Sequence, residues 1–148
     1  MKNELQNIIS GKSQVRYGST IQAAASHLGK GTPSSPKAEV SKQVREQETK
    51  SLEEFISQNH LWISNIDFSS YVSEGAEQRV YLKDENHVLK LKDAIYYSSW
   101  KDYFFNLLLH NYFFPDTAYE LLGFAKVDET LFSVIKQSYV EINEPSDL

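Results

Sequence analysis

The densest hydrophobic pattern in the chain begins at Trp100. Apolar residues at positions 100, 103, 104, 107 and 108 recur with helical spacing, which predicts a helix over Tyr96–Asn111 that packs one broad face against a sheet. Pro115-Asp116 is expected to end it. A thinner apolar stripe predicts a second amphipathic helix over Lys37–Asn59, stopped at Asn59-His60.

Runs rich in apolar and β-branched residues predict strands both before and after the Tyr96–Asn111 helix in the sequence. Their order, β-β-β-α-β-β, predicts an α+β fold: a five-stranded antiparallel sheet packed on one main helix. The first predicted strand begins at Tyr71, the second covers Gln78–Leu82 and the third includes Val88–Leu91. The fourth and fifth, Tyr119–Val127 and Thr130–Gln137, form a hairpin around Asp128-Glu129.

The patterns divide the chain into three sections. Residues 1–36 are predicted to be a basic, partly flexible helical arm and linker, residues 37–60 the amphipathic helix, and residues 61–148 the α+β domain. Only Tyr17 precedes Phe55 among the aromatic residues, so the arm lacks bulky core material. Its two short helical candidates are Lys2–Ile9 and Thr20–Leu28, the second capped by Ser19 or Thr20, and a disordered or docking arm is favoured over half of a helix-turn-helix.

Charge divides the chain in the same way. Residues 1–50 carry eight Lys or Arg against four Asp or Glu, whereas the remainder carries seven against sixteen. An acidic globule argues against broad nucleic-acid binding, since cationic contacts to phosphate supply most of that affinity; the basic arm is the one place where nucleic acid is an option. The chain has no cysteine and no long apolar run or signal core, so we expect a cytoplasmic protein with no disulfide and no membrane contact.

Two features suggest phosphate chemistry. The segment Gly75-Ala76-Glu77 lies between two predicted strands, where glycine lets backbone N–H groups approach a phosphate, although a plain hairpin turn needs the same residue. Lys90 lies on the third strand, and alternation places it with Val88 and Lys92 on one face while Leu89 and Leu91 face the main helix. A lysine on that face can neutralise phosphate or can simply be solvated.

Three other polar residues, Asp102, His110 and Asn111, are candidates for a role in the site. Asp102 is the only carboxylate of the main helix and is therefore the candidate partner of Lys90, with a favourable first-turn position as the alternative. His110-Asn111 is a candidate polar pair that also suits a helix C-terminus. The four histidines are scattered, so we assign no metal ligand and no catalytic residue.

Taken together, these residues resemble the kinase-like domain of bacterial polyvalent proteins, which occur in phages and conjugative elements; the Bacteroides-type members are the most similar that we can suggest. The resemblance covers about Leu61 to Glu141. Five runs carry it: Glu74–Leu82, Val88–Leu91, Leu107–Thr117, Leu122–Phe124 and Val134–Glu141.

The resemblance implies a protein-kinase small lobe that binds ATP with Mg²⁺. Gly75, Ala76 and Glu77 would form the nucleotide loop, Lys90 would contact phosphate, and Lys136, Gln137, Ser138 and Tyr139 would form the hinge that faces adenine.

In kinases the catalytic aspartate, its asparagine and the metal-binding aspartate lie in a second lobe. Only a polar tail follows Val140, so we expect no phosphoryl transfer by this chain alone and a truncated, kinase-derived unit. It would then meet a large lobe or self-associate through the exposed lobe face. The alternative is a non-enzymatic interaction module, which would bind a protein or nucleic acid through the sheet, the helix and the basic arm.

Overall fold

The computed structural model describes residues 7–8, 14–29, 42–64, 66, 71–74, 78–84, 86–93 and 99–138. The helices and strands within these residues form an α+β fold, which confirms the predicted class. They are α1 (Gly18–Gly29), α2 (Lys42–Gln58), β1 (Tyr71–Glu74), β2 (Gln78–Asp84), β3 (His87–Lys92), α3 (Trp100–Phe113), a 3-10 turn (Pro115–Thr117), β4 (Tyr119–Val127) and β5 (Thr130–Ser138).

The strands form an antiparallel sheet in the order β1-β2-β3-β5-β4, with α3 connecting β3 to β4. The predicted β4–β5 hairpin is confirmed: Val127 pairs with Thr130 across a two-residue turn. Both turn residues, Asp128 and Glu129, have positive φ (51° and 68°), which gives the turn the twist that matches two antiparallel strands. The central strand β5 pairs with both β3 and β4.

The two faces of the sheet carry separate apolar clusters. The face toward the helices includes Leu121, Phe124, Leu131 and Ile135, which pack with the three helices in one buried cluster. Ring contacts within it join Trp100, Tyr103, Phe104 and Phe124 at centroid distances of 5.5–6.2 Å. The opposite face carries the smaller cluster of Tyr81, Leu91, Ala125, Phe132 and Val134.

The prediction that Leu89 and Leu91 face the main helix was wrong. Leu91 belongs to the opposite cluster, with Leu89 packed against it. Lys90 pairs in register with Ile135, which is buried under the helices. The helix-facing side of β3 therefore carries Val88, Lys90 and Lys92. The alternation of side chains along β3 was predicted correctly. Leu89 and Leu91 were assigned to the wrong face of the sheet because both faces bury apolar side chains.

Helix α1 is an integral part of the larger core rather than a separate arm. Ile21, Ala24, Ala25 and Leu28 are each at most 3% exposed, and all belong to the cluster that contains α3. The arm prediction does not hold for residues 18–29 because small alanines let α1 pack closely without aromatic residues. The predicted cap at Ser19 or Thr20 was also wrong, since α1 begins at Gly18.

Helix α2 ends as predicted, at the Asn59-His60 segment. His60 has a φ of 56°, and the N–H of Leu61 donates to the carbonyl of Ile56 at 3.0 Å, a left-handed helix termination. The predicted start at Lys37 and the boundary at residue 36 lie outside the described residues.

The segment that follows α2 covers the outer edge of β4. Ile63 N–H donates to the carbonyl of Phe124, and Phe124 N–H donates to the carbonyl of Leu61, both at 2.8 Å. This approach falls at a bulge of β4 that contains Gly123, where an added Cβ would overlap the carbonyl oxygen of Leu61. Glycine is therefore required at this point for steric reasons.

Among the helices within the described ranges, none combines the length and the apolar character that a membrane span requires.

Candidate functional site

Lys90 lies on β3, on the face of the sheet that α3 covers. Its strand neighbours in register are Val80 and Ile135. Its ammonium group lies 5.5 Å from the ring centroid of Tyr119, and that of Lys92 lies 5.0 Å from the same ring. Two cations thus converge on one aromatic ring at the side of the sheet where the helices pack.

The electrostatic environment disfavours the charged form of Lys90. Burial lowers the pKa of this lysine below its ordinary value of 10.5, and the positive charge of Lys92 lowers it further. Both causes act in the same direction because a half-buried ammonium loses hydration while a like charge repels it. Within the described part of the chain, no carboxylate forms an ion pair with Lys90. The site would therefore favour an anion.

Asp102, the predicted partner of Lys90, is placed in the first turn of α3. The N–H of Asp102 donates to Ser99 Oγ at 3.1 Å, and its carbonyl accepts from Asn106. Its negative charge is close enough to raise the pKa of Glu48, whereas the causes that act on Lys90 are burial and Lys92. The described geometry thus associates Asp102 with the N-terminus of α3.

The predicted nucleotide loop, Gly75 to Glu77, lies outside the described residues. The flanking strands are described: β1 ends at Glu74 and β2 begins at Gln78. Gln78, the first residue of β2, pairs in register with Lys92. Strand β2 therefore begins directly opposite one of the two lysines of β3.

The predicted hinge residues Lys136, Gln137 and Ser138 are the last three residues of β5, and Tyr139 lies outside the described residues. Lys136 forms an ion pair with Glu120 at 3.3 Å, on the face opposite the helices. Gln137 Nε2 donates to the carbonyl of Thr117 at 2.8 Å, and Ser138 is exposed. The side chains of Lys136 and Gln137 therefore have structural partners, which leaves backbone groups as the ligand-facing candidates.

The His110-Asn111 pair lies inside α3, which continues to Phe113. His110 Nε2 lies 3.0 Å from the carbonyl oxygen of Thr117, and its ring is 4.5 Å from that of Tyr119. Asn111 is only 1% exposed and bonds to the backbone of Tyr119 through both ends of its amide. Its role is to link elements, since the C-cap of α3 is Phe114 and the amide of Asn111 bonds to the backbone of another element.

Sequence reasoning missed Glu48, whose side chain in α2 is 3% exposed. Its carboxylate accepts from the N–H groups of Trp100 and Lys101 at 2.8 and 3.1 Å. Burial raises the pKa of Glu48 above its ordinary 4.5, against the lowering effect of these two hydrogen bonds. The pattern contains one signal for it: Glu48 precedes Leu52 and Phe55 by four and seven residues and so falls on the buried stripe of the helix.

Comparison with known proteins identifies the family. Neither the curated proteins nor the solved structures include a significant match to this chain. The family of serine/threonine/tyrosine kinases found in polyvalent proteins matches residues 45–148, a range that contains most of α2, all of α3 and the whole sheet. The chain therefore belongs to the family of serine/threonine/tyrosine kinases found in polyvalent proteins.

Proposed function

We propose that this chain is the nucleotide-binding small lobe of a polyvalent-protein kinase and that Lys90 contacts the nucleotide's phosphates. The observation that carries the proposal is the half-buried Lys90 ammonium, which lies beside Lys92 and forms no ion pair with a carboxylate of the described residues. A phosphate group would supply the missing negative charge.

The layout of the chain supports this assignment. In protein kinases the phosphate-binding lysine lies on the third strand, a glycine-containing loop between two strands covers the phosphates, and a helix follows the lysine strand. Here Lys90 lies on β3, the Gly75–Glu77 segment connects β1 to β2, and α3 follows β3. Under this proposal the backbone after Gln137 would face the adenine ring, and Mg²⁺ would arrive with the nucleotide.

For the 148-residue polypeptide by itself we propose binding without turnover. The strands and α3 together form one lobe, and the kinase residues that activate the substrate hydroxyl and hold Mg²⁺ come from another. A large lobe supplied in trans would complete the site, whereas self-association would cover the exposed face of the small lobe. Incubation with γ-labelled ATP is expected to give no phosphorylated product, and sustained turnover by the isolated polypeptide would contradict this part of the proposal.

Calorimetric titration with ATP and Mg²⁺ tests the binding site. Wild type is expected to bind saturably, and Lys90→Met to bind about tenfold to a hundredfold more weakly, the cost of one charge-assisted contact of about 1.5–3 kcal/mol. Lys83→Met is the matched control because Lys83 is an exposed lysine of the neighbouring strand. Equal affinity in wild type and Lys90→Met, with both proteins folded by circular dichroism, would reject Lys90 as the phosphate contact.

A second candidate function, a protein-interaction module, is favoured by an aromatic patch at the C-terminal end of α3. Phe113 and Phe114 are 49% and 60% exposed, and Tyr17 is 43% exposed. Arg16, next to Tyr17, donates to the carbonyl of Pro115 at 3.1 Å, so these residues lie near one another. If this module is the function, ATP will not bind at millimolar concentration, and Phe113→Ser with Phe114→Ser will abolish any self-association seen by sedimentation.

A further inference from the structure

The N-terminus of α3 is held by a side chain from a different helix. Glu48 of α2 accepts the N–H groups of Trp100 and Lys101, and the N-cap Ser99 accepts that of Asp102. The first three backbone donors of α3 thus all have partners, which fixes the end of the helix both along its axis and laterally. A buried carboxylate at this position also complements the positive end of the helix dipole.

The N-terminal part of α3 is also linked to β3 through two hydroxyl groups, those of Tyr103 and Ser133. Tyr103 OH lies 2.6 Å from Ser133 Oγ, and Ser133 Oγ donates to the carbonyl of Lys92 at 3.1 Å. Since Ser133 has one hydroxyl hydrogen, Tyr103 is the donor in the first bond. Tyr103 is fully buried, and so is Ser133. The chain of bonds therefore joins the helix, without water, to the strand backbone two residues from Lys90.

We infer that Glu48 and Tyr103 are positioning residues that set α3 against the lysine strand, the task that an ion pair between the lysine and a helix glutamate performs in protein kinases. Helix α3 contains no glutamate, and the contacts of Glu48 and Tyr103 are directed at backbone and hydroxyl groups rather than at the ammonium of Lys90. The helix is placed without using the charge of Lys90, which keeps that charge available to an anion.

This arrangement makes α2 a part of the site. The carboxylate of Glu48 holds the N-terminus of α3. Helix α1 packs against both α2 and α3, and His27 Nε2 lies 3.0 Å from the carbonyl oxygen of Ser51. A change in α2 would therefore reach Lys90 through α3 and Ser133. The effect on nucleotide affinity rests on the function proposed above, whereas the placement of α3 does not.

Hydrogen exchange followed by NMR tests the placement directly. Glu48→Gln replaces one of the two acceptor oxygens by an amide NH₂, so we expect the Trp100 and Lys101 amides to exchange at least tenfold faster. The matched control is Glu54→Gln, because Glu54 is an exposed carboxylate of the same helix; it should leave these rates unchanged. Equal rates in both variants would overturn the role of Glu48.

The hydroxyl link is tested with Tyr103→Phe, which removes one oxygen atom from the core. We expect the pKa of Lys90, measured by NMR of the methylated amine, to rise toward its ordinary value as α3 loosens, and the ATP dissociation constant to rise at least threefold. Tyr112→Phe removes a hydroxyl from the same helix, where the ring lies against Phe113, and should change neither quantity.

The two proposals fail in different ways. If wild type binds no ATP, the proposed function fails, and amide exchange together with the Lys90 pKa still decides the positioning role. If wild type binds ATP and Tyr103→Phe matches Tyr112→Phe in both the lysine pKa and the dissociation constant, the positioning role of Tyr103 is overturned and the proposed function stands.

Discussion

The side-chain amide of Asn111 pairs with the backbone of Tyr119 much as a neighbouring strand would. Asn111 Oδ1 accepts from the N–H of Tyr119 at 2.8 Å, and Asn111 Nδ2 donates to the carbonyl of Tyr119 at 2.9 Å. The same Nδ2 donates to the carbonyl of Arg16 at 3.0 Å. One buried side chain thus joins α3, the start of β4 and the segment before α1.

Replacing Asn111 should destabilise the fold. In Asn111→Ala the N–H of Tyr119 and two carbonyl groups lose their partner, and we expect a loss of about 2–3 kcal/mol in the free energy of unfolding. Urea denaturation measures this. The control is Asn106→Ala, because Asn106 is exposed and bonds only within its own helix; its change should stay within about 0.5 kcal/mol, and an equal loss in both variants would contradict the linking role of Asn111.

The close approach at Gly123 gives a second stability prediction. Gly123→Ala would place a Cβ against the carbonyl of Leu61 and 2.9 Å from Ile63, so we expect a loss of about 1–3 kcal/mol from overpacking. Gly29→Ala is the control, because the added methyl group would meet only Lys101 Nζ at 3.9 Å and should be neutral or slightly stabilising. Thermal unfolding of both variants decides; a stable Gly123→Ala would mean that the β4 edge is not covered as described.

The burial of α1 is tested at Leu28. This residue is fully buried, so Leu28→Ala should cost about 2–5 kcal/mol of unfolding free energy. Ser26→Ala, at an exposed position of the same helix, should change stability little. If the Leu28 variant unfolded at the same urea concentration as wild type, α1 would be a detachable arm after all.

Glu48 should give the stability a distinct pH dependence. Because burial raises its pKa above 4.5, the folded chain binds a proton more tightly than the unfolded chain. The contribution of Glu48 to stability therefore falls as the pH rises from about 4.5 through the folded-state pKa. The stability of wild type relative to Glu48→Gln, measured by urea unfolding across this interval, is expected to decline with pH, and a flat difference would show that the carboxylate is not desolvated.

Lys90 acts in the opposite sense. Its pKa in the folded chain is below 10.5, so the unfolded chain binds more protons between the lowered pKa and 10.5, and stability should rise with pH over that interval. Lys90→Met should remove this rise. Under the proposed function ATP affinity should fall as the pH passes upward through the Lys90 pKa, since the neutral amine attracts phosphate weakly; calorimetry from pH 7 to 10 measures it.

Local patterns predicted most of the elements but not how they meet. The spacing from Trp100 to Leu108 indicated α3, and Asp128-Glu129 indicated the β4–β5 turn, because both signals depend on neighbouring residues alone. The start of α3 was misplaced by four residues, since Ser99 and the distant Glu48 together cap it. The position of Lys90 on the third strand was predicted correctly, but the face of the sheet on which it lies, which is the face toward the helices, was not.

The sequence by itself determined the α+β class, the alternation that separates Lys90 from Leu89 and Leu91, and the resemblance to a kinase family, because each depends on residue type and short-range spacing. Tertiary structure alone decided that Lys90 lies on the face of the sheet that packs against the helices, that α1 joins the core, and that Glu48, Tyr103 and Asn111 hold α3 in place. Those outcomes depend on pairs such as Glu48 with Trp100 and Tyr103 with Ser133, which are 52 and 30 residues apart. No local pattern records such partners, since a buried polar residue is tolerated only where the folded chain supplies its hydrogen bonds.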